Sequence, residues 1–143
     1  MTPLDRDRLA AQLRRHESER LKPYRDSLGY LSIGVGRNLD ARGIRPDESA
    51  LMLTNDMDEA ERGVALTFSW FPSLDPVRQA VLINMAFNLG VSGLLDFHKM
   101  LAAVEHGQYG QASDEMIESL WAKQVKERAV ELAAQMRTGQ WGR

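Results

Sequence analysis

The sequence predicts an α+β fold that is mainly α, on three observations. Several apolar stripes recur with the spacing of a helix, one short segment carries strand and turn signals, and no internal repeat or low-complexity stretch interrupts the chain. With 143 residues, the chain is long enough for one domain with its own core and short for two. We therefore expect a single domain, residues 1–143.

Two helices are predicted in the first half of the chain. Thr2 and Pro3 fit an N-cap and the first helical position, so a helix should run over residues 3–15 and end between Arg15 and Ser18. A long helix should begin at Pro46 and continue to about residue 66. Its apolar stripe steps alternately by three and four residues: Ala50, Leu53, Met57, Ala60 and Val64.

Between these helices, residues 24–36 predict a β-hairpin. Aromatic and β-branched residues alternate with small ones around a turn at Ser27, Leu28 and Gly29. Three glycines in eight positions, Gly29, Gly34 and Gly36, indicate that backbone or ligand approaches closely there.

The second half predicts a helical lobe. Phe68, Trp70 and Phe71 are interpreted as core, and a helix that is apolar almost all round should run over 76–89 and stop at Gly90. Shorter helices are predicted over 97–105, 110–120 and 125–136. The predicted domain thus has a small lobe (16–45), a connecting helix (46–66) and a helical lobe (67–143). The N-terminal helix, residues 3–15, should pack on the helical lobe.

Composition excludes several classes of protein. There is no cysteine, and the three histidines are scattered, so neither a disulfide framework nor a metal site is expected. No apolar run approaches the roughly 18 residues of a membrane span. Residues 1–45 carry ten basic and six acidic side chains, a balance that suits binding to an anionic polymer. Residues 46–120 carry three basic and twelve acidic side chains. The lack of a basic recognition helix argues against a DNA-binding regulator.

The candidate chemistry lies in the first 40 residues. Glu17 should end the first helix, Asp26 should begin the hairpin, and Ser32 should lie on its returning strand. A glycosidase needs one carboxyl that donates a proton to the leaving oxygen and another that stays ionised. The spacing by itself is weak evidence, because Glu and Asp nine positions apart are common and Glu17 also fits a surface acid in a charged run.

The sequence as a whole resembles glycoside hydrolase family 24, the phage-type lysozymes or endolysins. The pattern Glu17-(8)-Asp26-(5)-Ser32 is similar to that family's Glu-(8)-Asp-(5)-Thr signature, and the resemblance continues in order to the end of the chain. Further matching segments lie at 21–26, 29–36, 47–48, 56–58, 83–90 and 137–141. The resemblance implies a lysozyme-like fold with the small lobe, connecting helix and helical lobe described above.

The resemblance also implies roles for individual residues. Glu17 matches the general acid and Asp26 the carboxylate that positions or activates water, with the two carboxyls roughly 6.5–9.5 Å apart if the reaction inverts the anomer. The bond cut would be the β-1,4 bond from N-acetylmuramic acid to N-acetylglucosamine, with no cofactor and no metal. Ser32 stands where the family has Thr, so its hydroxyl lacks the methyl that restricts the rotamer.

Further matches concern binding and an ion pair. Phe87 and Asn88 match substrate contacts, although Phe87 could instead be a core residue. Arg128 matches a basic residue that faces Glu17 from the larger lobe. Arg37 stands where a family member has a histidine paired with an aspartate; because Asp56 matches that aspartate, an Arg37–Asp56 ion pair is predicted.

The implied partner is the glycan strand of peptidoglycan, bound by a monomer that has no nucleic-acid partner and no stable membrane association. The N-terminus lacks an apolar leader, so we expect synthesis in the host cytoplasm, release through a holin and action on periplasmic peptidoglycan during host lysis. Two alternatives stay open at this point: a lytic transglycosylase, and a peptidoglycan-binding module with a decayed site.

Overall fold

A computed structural model describes residues 1–142 and confirms a mainly helical α+β fold. The described elements, in chain order, are α1 (Pro3–Glu17), β1 (Arg20–Arg25), β2 (Leu31–Gly34), β3 (Arg37–Asn38), α2 (Leu39–Arg42), α3 (Pro46–Thr67), a 3-10 turn (Phe71–Ser73), α4 (Pro76–Leu95), α5 (His98–Glu105), α6 (Tyr109–Glu118), α7 (Leu120–Val125) and α8 (Glu127–Thr138). The chain divides into an N-terminal unit, Met1–Leu51, and a C-terminal unit that begins at Met52. Helix α3 begins in the first unit and ends in the second. The predicted lobe boundaries stay predictions.

In the N-terminal unit, α1 begins as predicted. The Asp5 N–H donates to the Thr2 hydroxyl at 3.1 Å, and Pro3 occupies the first turn. The helix ends at Glu17, inside the predicted range. No residue of α1 is buried. The prediction that α1 packs on the helical lobe stays a prediction.

The predicted hairpin belongs to a three-stranded antiparallel sheet in the order β1-β2-β3. Strand β1 begins at Arg20, four residues before the predicted start, and its register with β2 shifts between Arg20 and Tyr24. Strand β3 was not predicted, because two residues are too few to show alternation. The central strand is β2, which is paired on both sides.

The prediction for α3 is right in extent and only partly right in packing. Of its apolar stripe, Val64 is fully buried, whereas Leu53 and Met57 are 49% and 44% exposed. The last turns of α3 therefore contribute to the core, and its middle presents apolar side chains to a groove described below.

The hydrophobic core lies in the C-terminal unit. Phe68 and Phe71 are buried as predicted, and the Trp70 ring lies 4.9 Å from that of Phe68. The largest fully buried side chains come from α3, α4, α5, α6 and α8: Val64, Val81, Leu82, Met85, Leu94, Met100, Val104, Met116 and Met136.

The predicted stop at Gly90 is confirmed in an unexpected form. Gly90 has φ 74° and ψ 163°, which interrupts α4, and helical residues resume beyond it as far as Leu95.

The shorter helices follow near their predicted positions, except that α7 was not predicted separately. Ser119 separates α6 from α7 by capping the latter: its hydroxyl accepts from the Ala122 N–H at 3.1 Å.

Among residues 1–142, no single helix combines the length and the hydropathy that a membrane crossing requires. Helices α4 and α5 meet that criterion only as a pair, bent by 103°.

Candidate active site

Glu17 is the last residue of α1, and its side chain is directed onto the sheet of the same unit. A Cβ placed on Gly36, in the turn between β2 and β3, would lie 3.1 Å from Oε2 of Glu17. The Glu17 carboxyl therefore lies close to the backbone of Gly36 at this turn. The residue itself is exposed.

Asp26 organises the other turn of the hairpin, between β1 and β2. Its Oδ1 accepts hydrogen bonds from the N–H groups of Leu28 and Tyr30, both at 2.9 Å, and its own N–H donates to the Tyr30 carbonyl at 2.9 Å. Within the described residues, no group of the chain donates to Oδ2. Asp26 thus forms an Asx turn with one carboxylate oxygen and leaves the other without a donor from the described chain.

Ser32 lies in the middle of the sheet. It is paired with Tyr24 of β1 and with Asn38 of β3, and it is only 2% exposed. Because side chains alternate along a strand, and because Asp26 faces Tyr30 across the turn, Asp26 and Ser32 share one face of the hairpin at diagonal positions. The predicted role of Ser32 in holding water stays a prediction.

The two candidate acids lie at opposite ends of one strand. Asp26 adjoins the turn before β2 and Glu17 the turn after it. Four strand residues rise by about 10 Å, which is comparable with the roughly 6.5–9.5 Å between the carboxyls of inverting glycosidases. The predicted separation itself stays a prediction.

Arg37 forms an ion pair with Glu48 of the same unit, and the predicted pair with Asp56 stays a prediction. Its Nη1 and Nη2 donate to Oε1 and Oε2 of Glu48 at 2.8 and 2.7 Å, and Nη1 also donates to the Gly43 carbonyl at 3.2 Å. Glu48 lies in the first turn of α3, and β3 and that turn are joined only by the short helix α2 and a brief loop.

This pair is bidentate and partly buried, the geometry in which an Arg–carboxylate interaction is strongest. The Arg37 guanidinium, followed by the Arg45 N–H, lowers the pKa of Glu48 to about 2. The pair therefore stays ionised over the whole neutral and mildly acidic range.

A groove of about 620 Å³ crosses the C-terminal unit between α3, α4 and α8. Phe87 lines it and is 45% exposed, so the alternative that Phe87 is a core residue is wrong. Arg128 lies in the same groove and donates to Oδ1 of Asn84 from Nε at 3.0 Å and from Nη2 at 2.7 Å. The predicted approach of Arg128 to Glu17 stays a prediction.

Asn88 has a structural task in this unit. Its Oδ1 accepts from Nε1 of Trp121 at 2.9 Å, and the Trp121 ring, 4% exposed, meets that of Phe97 edge-on at 5.9 Å. Asn88 thereby satisfies the one polar group of a buried indole. Its predicted contact with substrate stays a prediction.

Sequence reasoning missed three residues that shape these sites: Gly36, Glu48 and Asn84. Gly36 was noted only as one of three glycines, and Glu48 only as part of a segment that matches the family. Asn84 lies on the same face of α4 as Phe87, three residues away, and this spacing was the available signal.

Two acidic side chains lie at the turns of a small sheet in this mainly helical protein, an arrangement compatible with glycoside hydrolases that use a carboxylate pair. A family model described as phage lysozyme matches residues 14–137. The chain belongs to the phage lysozyme family and is a glycoside hydrolase of the lysozyme type.

Individual relatives are distant but extend over most of the chain. It is 28% identical to "Probable T4-type lysozyme 1" of Dictyostelium discoideum, over 89% of this chain and 92% of the relative. It is 25% identical to "Probable T4-type lysozyme 2" of the same organism, over 92% of this chain and 94% of the relative. It is 29% identical to "Pre-baseplate central spike protein Gp5" of Enterobacteria phage T4, over 92% of this chain but 28% of that protein.

Proposed function

We propose that this lysozyme hydrolyses the β-1,4 bond between N-acetylmuramic acid and N-acetylglucosamine in bacterial peptidoglycan. The observation that carries the proposal is the placement of Glu17 and Asp26 at the two ends of β2. In the proposed arrangement, Glu17 lies beside the glycosidic oxygen and Asp26 lies beside the attacking water.

In the proposed reaction, Glu17 donates its proton to the glycosidic oxygen as the bond from that oxygen to C1 of the muramic acid breaks. Water attacks C1 from the opposite face, and Asp26 accepts the proton that the water loses. The position of Asp26 supports this role, because Oδ1 is held by the turn while Oδ2 faces no donor of the described chain. Ser32, on the same face of the hairpin, is proposed to help hold the water.

The test is mass spectrometry of fragments released from purified peptidoglycan by the full chain. Fragments with reducing N-acetylmuramic acid ends are expected. Ends in the 1,6-anhydro form would instead show a lytic transglycosylase, in which the attacking group is the sugar's own hydroxyl. No release at all would mean a binding module with a decayed site.

The first variant to test is Glu17→Gln. An amide cannot donate the proton, so kcat should fall by about 10²–10⁴-fold while the melting temperature is retained. Glu19→Gln is the matched control: Glu19 is an exposed neighbour whose Arg14 ion pair, at 3.0 Å, is of a kind that contributes little. Wild-type turnover by Glu17→Gln would remove Glu17 from the mechanism.

The biological setting is also a proposal: synthesis as a monomer in the host cytoplasm, release through a holin, and lysis from the periplasm, with no nucleic-acid partner and no stable membrane association. The family's description as phage lysozymes supports it. The similarity to a baseplate spike protein and to proteins of Dictyostelium discoideum shows that such chains occur in other settings. Expression in a Gram-negative host with and without a holin tests it; lysis without the holin would contradict it.

A further inference from the structure

The backbone just after Glu17 has a conformation that favours glycine. Ser18 has φ 61° and ψ 138°, outside the regions that residues with a side chain ordinarily occupy. Such conformations persist where the surrounding structure imposes them, and they concentrate at functional sites. Here the effect is to end α1 abruptly, so that the chain turns toward β1 directly after the candidate acid.

The side chain of Glu17 runs along Gly36. A Cβ on Gly36 would lie 3.1 Å from Oε2, 3.5 Å from Cδ and 3.7 Å from Cβ of Glu17. The closest of these distances is tighter than ordinary van der Waals contact. Glu17 would have to move by a few tenths of an ångström to accommodate even an alanine.

The other glycines of this sheet differ in this respect. Gly29 and Gly34 also have positive φ, 87° and 67°, but a Cβ on either would meet nothing within 4 Å. Glycine at those two positions serves the turn alone. At Gly36, with φ 72°, it serves the turn and also leaves room for the carboxyl.

We propose that Gly36 is a positioning residue for the reaction, and that the bare backbone of Gly36 sets where the Glu17 carboxyl lies. The proposal rests on the proposed function, in which Glu17 supplies the proton. Ser18 directs Glu17 toward the turn, and the missing Cβ at residue 36 lets the carboxyl rest there. Because catalytic groups must be held within about 0.5 Å of the productive geometry, a shift of a few tenths of an ångström takes up most of that tolerance.

The decisive comparison is Gly36→Ala against Gly34→Ala in the full chain. Both variants place a side chain at positive φ in the same small sheet, so both should melt at lower temperature by similar amounts. Only Gly36→Ala should lower kcat, by about tenfold relative to Gly34→Ala, with KM unchanged, since misplacement by about 1 Å costs roughly 10²-fold. Equal kcat values in the two variants would overturn the proposal.

If Gly36→Ala does not fold, Gly36→Asn and Gly34→Asn replace the pair, because asparagine tolerates positive φ better than other residues with a side chain. The Gly36→Asn variant should again have the lower kcat, and equal kcat values would again overturn the proposal.

A second measurement separates this proposal from the proposed function. The carboxyl ¹³C chemical shift of Glu17, read at one fixed pH, should change in Gly36→Ala and stay at the wild-type value in Gly34→Ala. Wild-type turnover by Glu17→Gln would refute the proposed function whatever this shift does. An unchanged shift in Gly36→Ala would refute the Gly36 contact even if Glu17 proves to be the acid.

Discussion

Asp26 has a structural task and a proposed chemical one, and they use different oxygens of one carboxylate. Oδ1 closes the turn through the N–H groups of Leu28 and Tyr30, while Oδ2 accepts no hydrogen bond from the described residues. This division means that the charge and the turn can be tested separately by substitution.

Asp26→Asn should keep the turn, because the amide oxygen can still accept both hydrogen bonds. Its kcat should fall at least about 10²-fold, because an amide cannot act as a base. Asp26→Ala should lose the activity and also about 1 kcal/mol of unfolding free energy with the turn. Enzyme assays and thermal melts of both variants check this.

Asp40→Asn is the control for the Asp26 variants, since Oδ2 of Asp40 accepts from the Leu31 N–H at 2.7 Å in the same unit. It should keep near-wild-type turnover. An active Asp26→Asn would restrict Asp26 to its structural task.

At the scale of elements, Glu48 links the sheet to α3. Besides its two bonds from Arg37, it accepts the Arg45 N–H at 2.8 Å, so it completes the reciprocal half of a capping box at the start of the helix. One side chain thus starts α3 and attaches β3 to it. The sheet is held relative to the first turn of α3 by this contact.

The pH dependence of stability should reveal this link. Because the folded-state pKa of Glu48 is about 2 and its ordinary value is 4.5, the carboxylate stabilises the fold at every pH above about 4.5 and loses that effect as the pH falls through 2. Glu48→Gln should therefore melt below wild type at pH 7, and the difference should close between pH 4.5 and 2.

Thermal melts of wild type and Glu48→Gln at pH 7, 4 and 2 check this prediction. Asp47→Asn is the control, because the Asp47 side chain is 72% exposed and its pair with Arg45 is of the weak surface kind. If the difference in melting temperature between wild type and Glu48→Gln is the same at every pH, the shape of the Glu48 side chain matters at this position and its charge does not.

At the scale of the whole molecule, burial is distributed very unevenly between the two units. Every buried hydrophobic side chain of the described residues lies at Val64 or beyond, and Ser32 is the one buried residue before it. The N-terminal unit thus contains the candidate acids but no apolar core of its own. Chains that short seldom fold without one.

Separate fragments should therefore behave differently. A fragment from Pro46 to the end, which keeps α3 whole, should show helical circular dichroism and a cooperative melt. Residues 1–51 alone should be unfolded, with little dispersion in the NMR spectrum. Dispersed amide signals from residues 1–51 would contradict the prediction and show that the sheet and its caps suffice.

Local chemistry made much of this protein predictable. The N-cap at Thr2, the start of α3 at Pro46 and the break at Gly90 depend on hydrogen bonds and torsions within a few residues, and all three are confirmed. The family and the enzyme class were also predicted from the sequence, because an ordered series of motifs carries over distant similarity.

Partners that are distant in the chain were decided by tertiary structure. The pair between Arg37 and Glu48 was not predicted, and the side chain that lies against Gly36, Glu17, is nineteen positions away in the sequence. Exposure of Phe87 and burial of Ser32 were likewise not readable from pattern. The sequence alone determines which local conformations and which chemical groups are available; the way the elements come together determines which groups meet, because contact depends on three-dimensional packing that no local torsion specifies.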